Sequence, residues 1–183
     1  MGEGFKKVLT RQLGRKPKGN FKVIRLCKFG FPQVIKNPPL VDGKPFPTIF
    51  WLTCPHLVKE VSRLEEAGYI SKFEEKLRRD ERFRRRYLKA HSFERMLRKP
   101  FIPQNLPKGV KKKLLSVGVG GIENPLGVKC LHLHLASYLG GVPNPIGKEV
   151  SKLIPSLECR NNYCGRRLFD KENLNLKGYG KLR

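Results

Sequence analysis

Short stretches of alternating apolar and polar residues in the first third of the chain predict β-strands. Residues 21–27 (FKVIRLC) alternate, residues 28–32 (KFGFP) have the glycine and proline of a turn, and residues 33–35 (QVI) lead back. This pattern indicates a β-hairpin. After the turn signals NPP and DGKP, residues 48–52 (TIFWL) predict a further strand. We therefore expect a small antiparallel sheet of about three to four strands.

Helical spacing follows directly after this sheet. Thr53 and Cys54 are candidate caps with Pro55 in the first helical turn, and the apolar residues that follow recur at helical spacing until Gly68. Residues 71–99 predict one or two arginine-rich helices. The prolines at positions 100, 103 and 107 are expected to end them in a loop that continues to about residue 115. With a short helix at 146–154, the sequence predicts an α+β fold in which the sheet packs with several helices.

The same pattern divides the chain into three parts. Residues 1–20 lack a clear period and are predicted to be a flexible basic arm. Residues 21–158 are expected to form a single α+β domain, which includes the arginine-rich helical segment 71–99. Residues 159–183 are expected to be a basic C-terminal tail.

Two segments allow more than one interpretation. Residues 130–135 (CLHLHL) alternate perfectly, but a helical stripe across 131–139 outlasts the alternation and favours a helix that ends at Gly140. Residues 116–122 (SVGVGGI) are a strand or a glycine loop. The amides of Gly118–Gly121 could hold a phosphate, although a tight turn explains these glycines equally well.

Composition narrows the class of protein. No apolar run reaches the roughly 20 residues that a membrane span needs, so no membrane partner is expected. The N-terminal residues lack the apolar segment of a secretory signal. The five cysteines are odd in number and irregular in spacing, which favours free thiols or metal ligands in a reducing compartment. These features together predict a cytoplasmic protein.

The positive charge is concentrated in three regions of the chain. The net charge is +24, and most of it falls in residues 1–22, 76–113 and 159–183, whereas residues 114–158 are neutral. Charge of this kind attracts nucleic acid by counterion release and without sequence preference. A solvated lysine- and arginine-rich surface is an equally good explanation. Any nucleic-acid binding is therefore expected to be electrostatic, non-specific and strongly dependent on salt.

Cysteine and histidine residues suggest a metal centre. In a helix, residues 130 and 134 are four apart and share one face, with residue 132 on the opposite side. Two further thiols end predicted strands that could approach this helix. The predicted ligands of a zinc ion or an iron–sulfur cluster are Cys27, Cys54, Cys130 and His134. The alternative is that the first two are small buried hydrophobic residues and the histidine is a satisfied core residue.

Other polar residues are candidates for supporting roles. Arg63 and Lys129 are predicted anion-binding groups near the centre. His132 is placed beside the ligands, and so are His91 and Arg95, which are four apart and form either a polar pair toward a cleft or an exposed face. The thiols of residues 54 and 130 lie at helix starts, where the helix dipole lowers a thiol pKa, so either one is a candidate nucleophile.

Four longer motifs resemble a bacterial family known as domain of unknown function 501. They are residues 45–55 (PFPTIFWLTCP), 61–65 (VSRLE), 127–134 (GVKCLHLH) and 144–147 (NPIG). The resemblance runs from about Val23 to Ile154 and implies no particular activity or ligand. The family's motifs include residues that match Cys27, Cys54, Cys130, His132 and His134. The last two cysteines, Cys159 and Cys164, lie outside these motifs and are expected to be incidental thiols in the tail.

Three functions remain open from the sequence. The first is a small cytoplasmic metal-binding protein with a cysteine and histidine centre, with or without catalysis. The second is an RNA- or ribosome-associated basic protein that uses the helices of residues 76–113 and both ends of the chain. The third is a thiol-dependent enzyme that uses Cys54 or Cys130 as its nucleophile.

Overall fold

A computed structural model describes residues 3–168, and it has the predicted α+β architecture. The helices are α1 (Glu3–Leu13), α2 (Pro55–Glu66), α3 (Tyr69–Arg79), α4 (Glu81–Arg98), α5 (Lys108–Ser116), α6 (Leu131–Leu139) and α7 (Pro145–Leu153). Short 3-10 turns follow at Lys99–Phe101 and Val119–Gly121, and Cys164–Leu168 forms a single π-helical turn.

The sheet confirms the predicted hairpin and third strand. The strands are β1 (Lys22–Leu26), β2 (Pro32–Lys36), β3 (Leu40–Val41), β4 (Lys44–Pro45) and β5 (Phe50–Leu52). The main sheet is antiparallel in the order β1-β2-β5, and β3 pairs with β4 in a separate two-stranded ribbon. The hairpin turn is closed by the Cys27 amide, which donates to the Phe31 carbonyl at 2.9 Å.

Local signals set the limits of the first helices. Cys54 is the residue before α2, Pro55 occupies its first turn, and Gly68 follows its end with a φ of 77°, which glycine adopts without strain. The Asp80 carboxylate accepts from the Phe83 amide at 2.8 Å and so separates α3 from α4. The predicted segment 71–99 is therefore two helices.

The ambiguous hexamer is helical, as predicted. Helix α6 covers Leu131–Leu139 and packs against α7, β5 and α2, so it lies at the centre of the molecule. Cys130 comes just before the helix with an extended backbone (φ −163°, ψ 153°). Its side chain therefore does not follow the helical repeat, and this difference decides which residues meet at the site.

The N-terminal residues are not the flexible arm that the sequence predicted. Helix α1 buries Phe5, Val8 and Leu9 in a small apolar cluster with the β1–β2 hairpin and Cys164. The arm was misjudged because these apolar residues are spaced for one helical face but are surrounded by lysine and arginine. Cys164 is buried here rather than incidental in a tail, whereas residues 169–183 of the predicted tail lie outside the described residues.

Two further segments differ from the prediction or add to it. Residues 108–116, expected to be part of a proline-ended loop, form helix α5, which packs against α4. Residues 119–121 of the glycine-rich segment form a 3-10 turn instead of a strand. Within residues 3–168, no helix is both long enough and apolar enough to pass through a bilayer.

We predict that Leu9→Ala lowers the free energy of unfolding by about 2–5 kcal/mol, because this side chain is fully buried in the α1 cluster. Urea unfolding followed by circular dichroism measures the change. The control is Thr10→Ala, which removes a hydrogen bond to the Lys6 carbonyl and is expected to cost less than about 1.5 kcal/mol. If both substitutions had equally negligible effects on the free energy of unfolding, the prediction of a flexible N-terminal arm would be supported instead.

Candidate metal centre

Three possible metal ligands converge where α2 ends and α6 begins. One ligand atom each from Glu65, Cys130 and His132 lies within 4.8 Å of the other two. All three side chains are partly buried. In the described part of the chain, no other set of three cysteine, histidine or acidic side chains comes this close together. The three side chains are therefore candidate ligands of one metal ion.

Glu65 links the two helices. Its Oε1 accepts from the Leu131 amide at 2.6 Å and lies 3.0 Å from His132 Nδ1. The Cys130 side chain makes no capping hydrogen bond, so a carboxylate from another helix satisfies the first turn of α6. Sequence reasoning missed Glu65. The available signal was the absence of a local acidic or hydroxyl cap at the start of a predicted helix.

His132 is held from both sides of its ring. Its Nε2 lies 3.2 Å from the Val58 carbonyl and 3.4 Å from Ser62 Oγ, and its Nδ1 faces Glu65. The ring therefore packs against α2 in one fixed orientation. A carbonyl behind a histidine ring is the usual means of orienting a metal ligand.

The Cys130 thiol is not activated by its helix. Burial is the main cause that raises its pKa, and Glu65 raises it further, while the amides of Leu133 and His132 lower it. Burial also raises the pKa of Cys54, to about 11, although it lies at the start of α2. At these two helix starts the thiol pKa values are therefore raised and not lowered as expected, because burial outweighs the dipole.

A groove of about 450 Å³ opens beside His132. Its walls are mostly apolar and include Phe46, Phe50 and Trp51, with Thr48 and the Arg15 side chain at its edge. The Arg15 guanidinium lies 4.9 Å from the centre of the Trp51 ring. This volume falls within the range of small-molecule sites, which are about 300–1,000 Å³.

His134, the predicted ligand, is a core residue. It is fully buried, and its Nδ1 lies 3.1 Å from the Asn144 amide nitrogen, which must be the donor because Asn144 Oδ1 accepts from Gly147. Its Nε2 lies 3.4 Å from the Tyr87 hydroxyl, which itself donates to the Gly127 carbonyl. Both nitrogens are occupied, and this matches the satisfied-histidine alternative.

The predicted set of Cys27, Cys54, Cys130 and His134 does not have the close spacing that a single zinc ion needs. No three of these ligand atoms lie mutually within 4.8 Å in the described residues. The extended backbone of Cys130 breaks the four-residue spacing that was assumed to place it beside His134. Cys130 instead meets His132, which the helical period had assigned to the opposite face.

The remaining predicted residues have structural or surface roles. Arg63 forms an exposed ion pair with Glu60 at 2.9 Å, and Lys129 is exposed. Arg95 donates to Ser92 and to the Ser116 carbonyl. His91 is buried rather than directed into a cleft, because its Nδ1 accepts from the Val119 amide at 2.9 Å and its Nε2 lies 3.2 Å from the Pro125 carbonyl.

The glycine segment is packed by the protein itself and does not form a phosphate cradle. The amides of Gly118, Val119, Gly120 and Gly121 donate to Ile122, His91, Glu94 and Gly118, respectively. A Cβ at Gly118 would lie 2.1 Å from the His91 ring, and one at Gly120 would lie 2.4 Å from Leu133. These glycines therefore serve close packing, which was the alternative interpretation of the segment.

The fold is α+β, and its candidate site is a possible metal-binding cluster of cysteine, histidine and glutamate beside a groove. Residues 23–152 match the family described as protein of unknown function (DUF501). The matched range contains all three residues of the cluster. The chain belongs to this family, as the sequence motifs predicted. No curated protein and no solved structure matches the chain.

We predict that the free energy of unfolding falls as the pH is lowered from about 6.5 to 4.5. Burial lowers the pKa of His91 to about 4 and that of His134 to about 3, whereas an unfolded histidine titrates near about 6.5. In this range the unfolded chain binds two protons that the folded protein does not, so acid favours unfolding. Urea unfolding at several pH values measures the loss.

Glu94 acts in the opposite direction and supplies the control. Burial raises its pKa to about 7, so the folded protein keeps a proton that the unfolded chain has released above about pH 4.5. This offsets one histidine and leaves a net slope of roughly 1.4 kcal/mol per pH unit. Glu94→Gln should make the slope steeper. A flat profile in the wild-type protein would contradict the neutral state of the two buried histidines.

Proposed function

We propose that this protein binds a zinc ion through Glu65, Cys130 and His132. The observation that carries the proposal is the convergence of three different ligand atoms within 4.8 Å of one another. Carboxylate oxygen, thiolate sulfur and imidazole nitrogen are all ligands that zinc accepts, at about 2.0–2.3 Å. An ion between them would also stabilise the Cys130 thiolate, because a bound cation reverses the effect of burial on the pKa.

A zinc ion with three protein ligands would have the coordination of a catalytic site. Structural zinc ions have four protein ligands, whereas catalytic ones have three and leave a position open for water or substrate. His132 also lines the groove, and we propose that a small molecule reaches the open position from there. A metal-assisted reaction, in which the ion lowers the pKa of bound water or polarises an oxygen, is the chemistry that this arrangement supports.

A cytoplasmic location belongs to the same proposal. All five cysteines are free, and each lies within the described residues. Free thiols persist in a reducing compartment. The raised thiol pKa values also weigh against the thiol-enzyme alternative, because a buried neutral thiol is a poor nucleophile without a partner that removes its proton.

We predict that Glu65→Gln, Cys130→Ser and His132→Ala each weaken zinc binding at least about a hundred-fold, because each removes one of three ligands. Competition with a chelating dye measures the affinity. Glu60→Gln is the matched control, since Glu60 lies on the same helix and forms an ion pair with Arg63 at 2.9 Å. His134→Ala should retain the ion if the protein stays folded.

Two results would count against this site. Wild-type affinity in the three variants would exclude these ligands, and loss of zinc in His134→Ala with normal circular dichroism would restore the ligand set expected from sequence. Because other thiols could also bind zinc, the comparison with Glu60→Gln is the decisive one.

Nucleic-acid binding is the second candidate function. Helix α4 has exposed basic side chains at helical spacing along one face, namely Arg82, Arg85, Arg86 and Lys89. A row of this kind follows a phosphate backbone without reading bases. Because residues 1–20 include the buried helix α1, deleting them would test folding as well as charge.

We predict that replacing Arg82 and Lys89 by glutamine weakens RNA binding at low salt and reduces the slope of log affinity against log salt by about 2. Fluorescence anisotropy with two unrelated RNA sequences measures both quantities. The matched control replaces the exposed Lys148 and Lys152 of α7. A complex with one RNA that survives about half-molar salt would instead indicate specific recognition.

A further inference from the structure

Four of the five cysteines come from three segments of the chain that hydrogen bonds connect to one another. Cys27 begins the β1–β2 turn, Cys54 precedes α2, and Cys159 and Cys164 follow α7. Cys54, Cys159 and Cys164 are buried, and Cys27 is half-buried. The fifth, Cys130, belongs to the Glu65 cluster described above.

Hydrogen bonds hold the segment before Cys159 against those of Cys27 and Cys54. The Lys28 amide, next to Cys27, donates to the Glu158 carboxylate at 2.9 Å. His56 Nε2, two residues after Cys54, lies 3.0 Å from the Ser156 carbonyl. Between them, the Gln33 amide side chain donates to the Leu157 carbonyl at 2.6 Å. Residues 156–158 therefore bridge the hairpin turn and the start of α2.

A single carbonyl oxygen joins the neighbourhoods of Cys164 and Cys54. Gln12 Nε2 donates to the Pro32 carbonyl at 3.0 Å and also lies 3.4 Å from the Cys164 sulfur. The Thr53 hydroxyl donates to the same Pro32 oxygen at 3.1 Å. The residue before Cys54 and the residue that contacts Cys164 thus share one acceptor.

The four thiols are also close enough to affect one another electrostatically. Burial is the main cause that raises the pKa of Cys164 to about 12, and the thiols of Cys27, Cys54 and Cys159 raise it further. Cys27 and Cys159 likewise add to the raised pKa of Cys54. Buried thiols that repel each other when ionised are the ones that a bound cationic centre stabilises most.

From this convergence we infer a second centre, independent of the proposed zinc site, in which Cys27, Cys54, Cys159 and Cys164 are the four ligands of a [4Fe–4S] cluster. Four cysteine thiolates are the usual ligand set of such a cluster. The site needs both the hairpin and the segment after α7, so it includes two thiols outside the matched family region of residues 23–152.

The four sulfurs do not have the close spacing of the ligands of a single zinc ion. Tetrahedral zinc with bonds of about 2.3 Å places its sulfurs about 3.8 Å apart. No three of the four thiols lie mutually within 4.8 Å. A cube of iron and sulfide stands between its cysteine ligands and holds them farther apart than one ion does. This spacing is compatible with the larger centre, to which we assign the four thiols.

The test is reconstitution of the full chain without oxygen, with sulfide, ferric iron and a thiol reductant that converts part of the iron to the ferrous state. We expect about four iron and four sulfide per chain, visible absorption that bleaches on reduction, and a paramagnetic signal from the reduced cluster. Alkylation gives a second readout that needs no variant. Only Cys130 should react in the loaded protein, whereas unfolded apoprotein should expose all five thiols.

Single substitutions assign the ligands and separate the two centres. Cys159→Ser and Cys164→Ser should lose most of the cluster while keeping zinc affinity at the Glu65 site. Cys130→Ser should keep the full cluster and lose that zinc affinity. Circular dichroism identifies a variant that fails to fold. Cys159→Ser should disturb folding least, because Cys159 is the most exposed of the three buried cysteines, at 9%.

Three results would overturn the inference. They are a full cluster in the Cys159→Ser and Cys164→Ser variants, failure of the folded wild-type protein to take up iron and sulfide, and uptake of zinc alone by these four thiols. The last result would give the same ligands to a different centre. None of the three bears on Glu65, Cys130 and His132.

Discussion

The carboxylate of Glu65 is the interaction on which the centre of this molecule depends. Helix α6 packs against α2, α7 and β5, yet nothing in its own first turn caps it. A side chain at the end of α2 satisfies the Leu131 amide and faces His132, so one acidic group fixes the position of a helix start and the orientation of an imidazole. Glu65 therefore combines a structural role with a position beside possible metal ligands.

A second polar network holds the 3-10 turn Val119–Gly121, which contacts α6. Arg98 is fully buried, and its guanidinium donates to the carbonyls of Pro47, Val117 and Gly118. Glu94 and His91, on the same helix, accept from the amides of Gly120 and Val119. A buried charge such as that of Arg98 is tolerated where it is hydrogen-bonded. Together the three side chains hold a glycine-rich turn whose backbone groups would otherwise be unsatisfied.

The sequence predicted most of the fold because its signals are local. The hairpin, the third strand, the start of α2 at Pro55 and the helical state of residues 131–139 all follow from periodicity and turn chemistry. Helix α1 was missed because its apolar face is short and its surroundings are basic. Helix α5 was missed because neighbouring prolines suggested a loop.

The site was harder to predict because it depends on contacts between distant residues. Cysteine and histidine could be recognised as ligand types, but their grouping depends on the extended backbone of Cys130 and on a carboxylate that is 66 residues from its partner Leu131. Helical spacing alone paired Cys130 with His134, and it could not show that Asn144 and Tyr87 already occupy that ring. The residue types of the ligands could be predicted from the sequence, but which of them lie close together could not.

The contact between Gln12 and Cys164 has a consequence for how the protein is made. It joins residues that are 152 positions apart, and the same small apolar cluster contains α1 and both strands of the hairpin. During synthesis, α1 and the hairpin leave the ribosome long before residue 164 does. The larger core around α6 can form first, while this cluster stays open on one side until Cys164 has been synthesised. A truncated chain would therefore expose Phe5, Val8 and Leu9 longest, and that exposure marks where aggregation would begin.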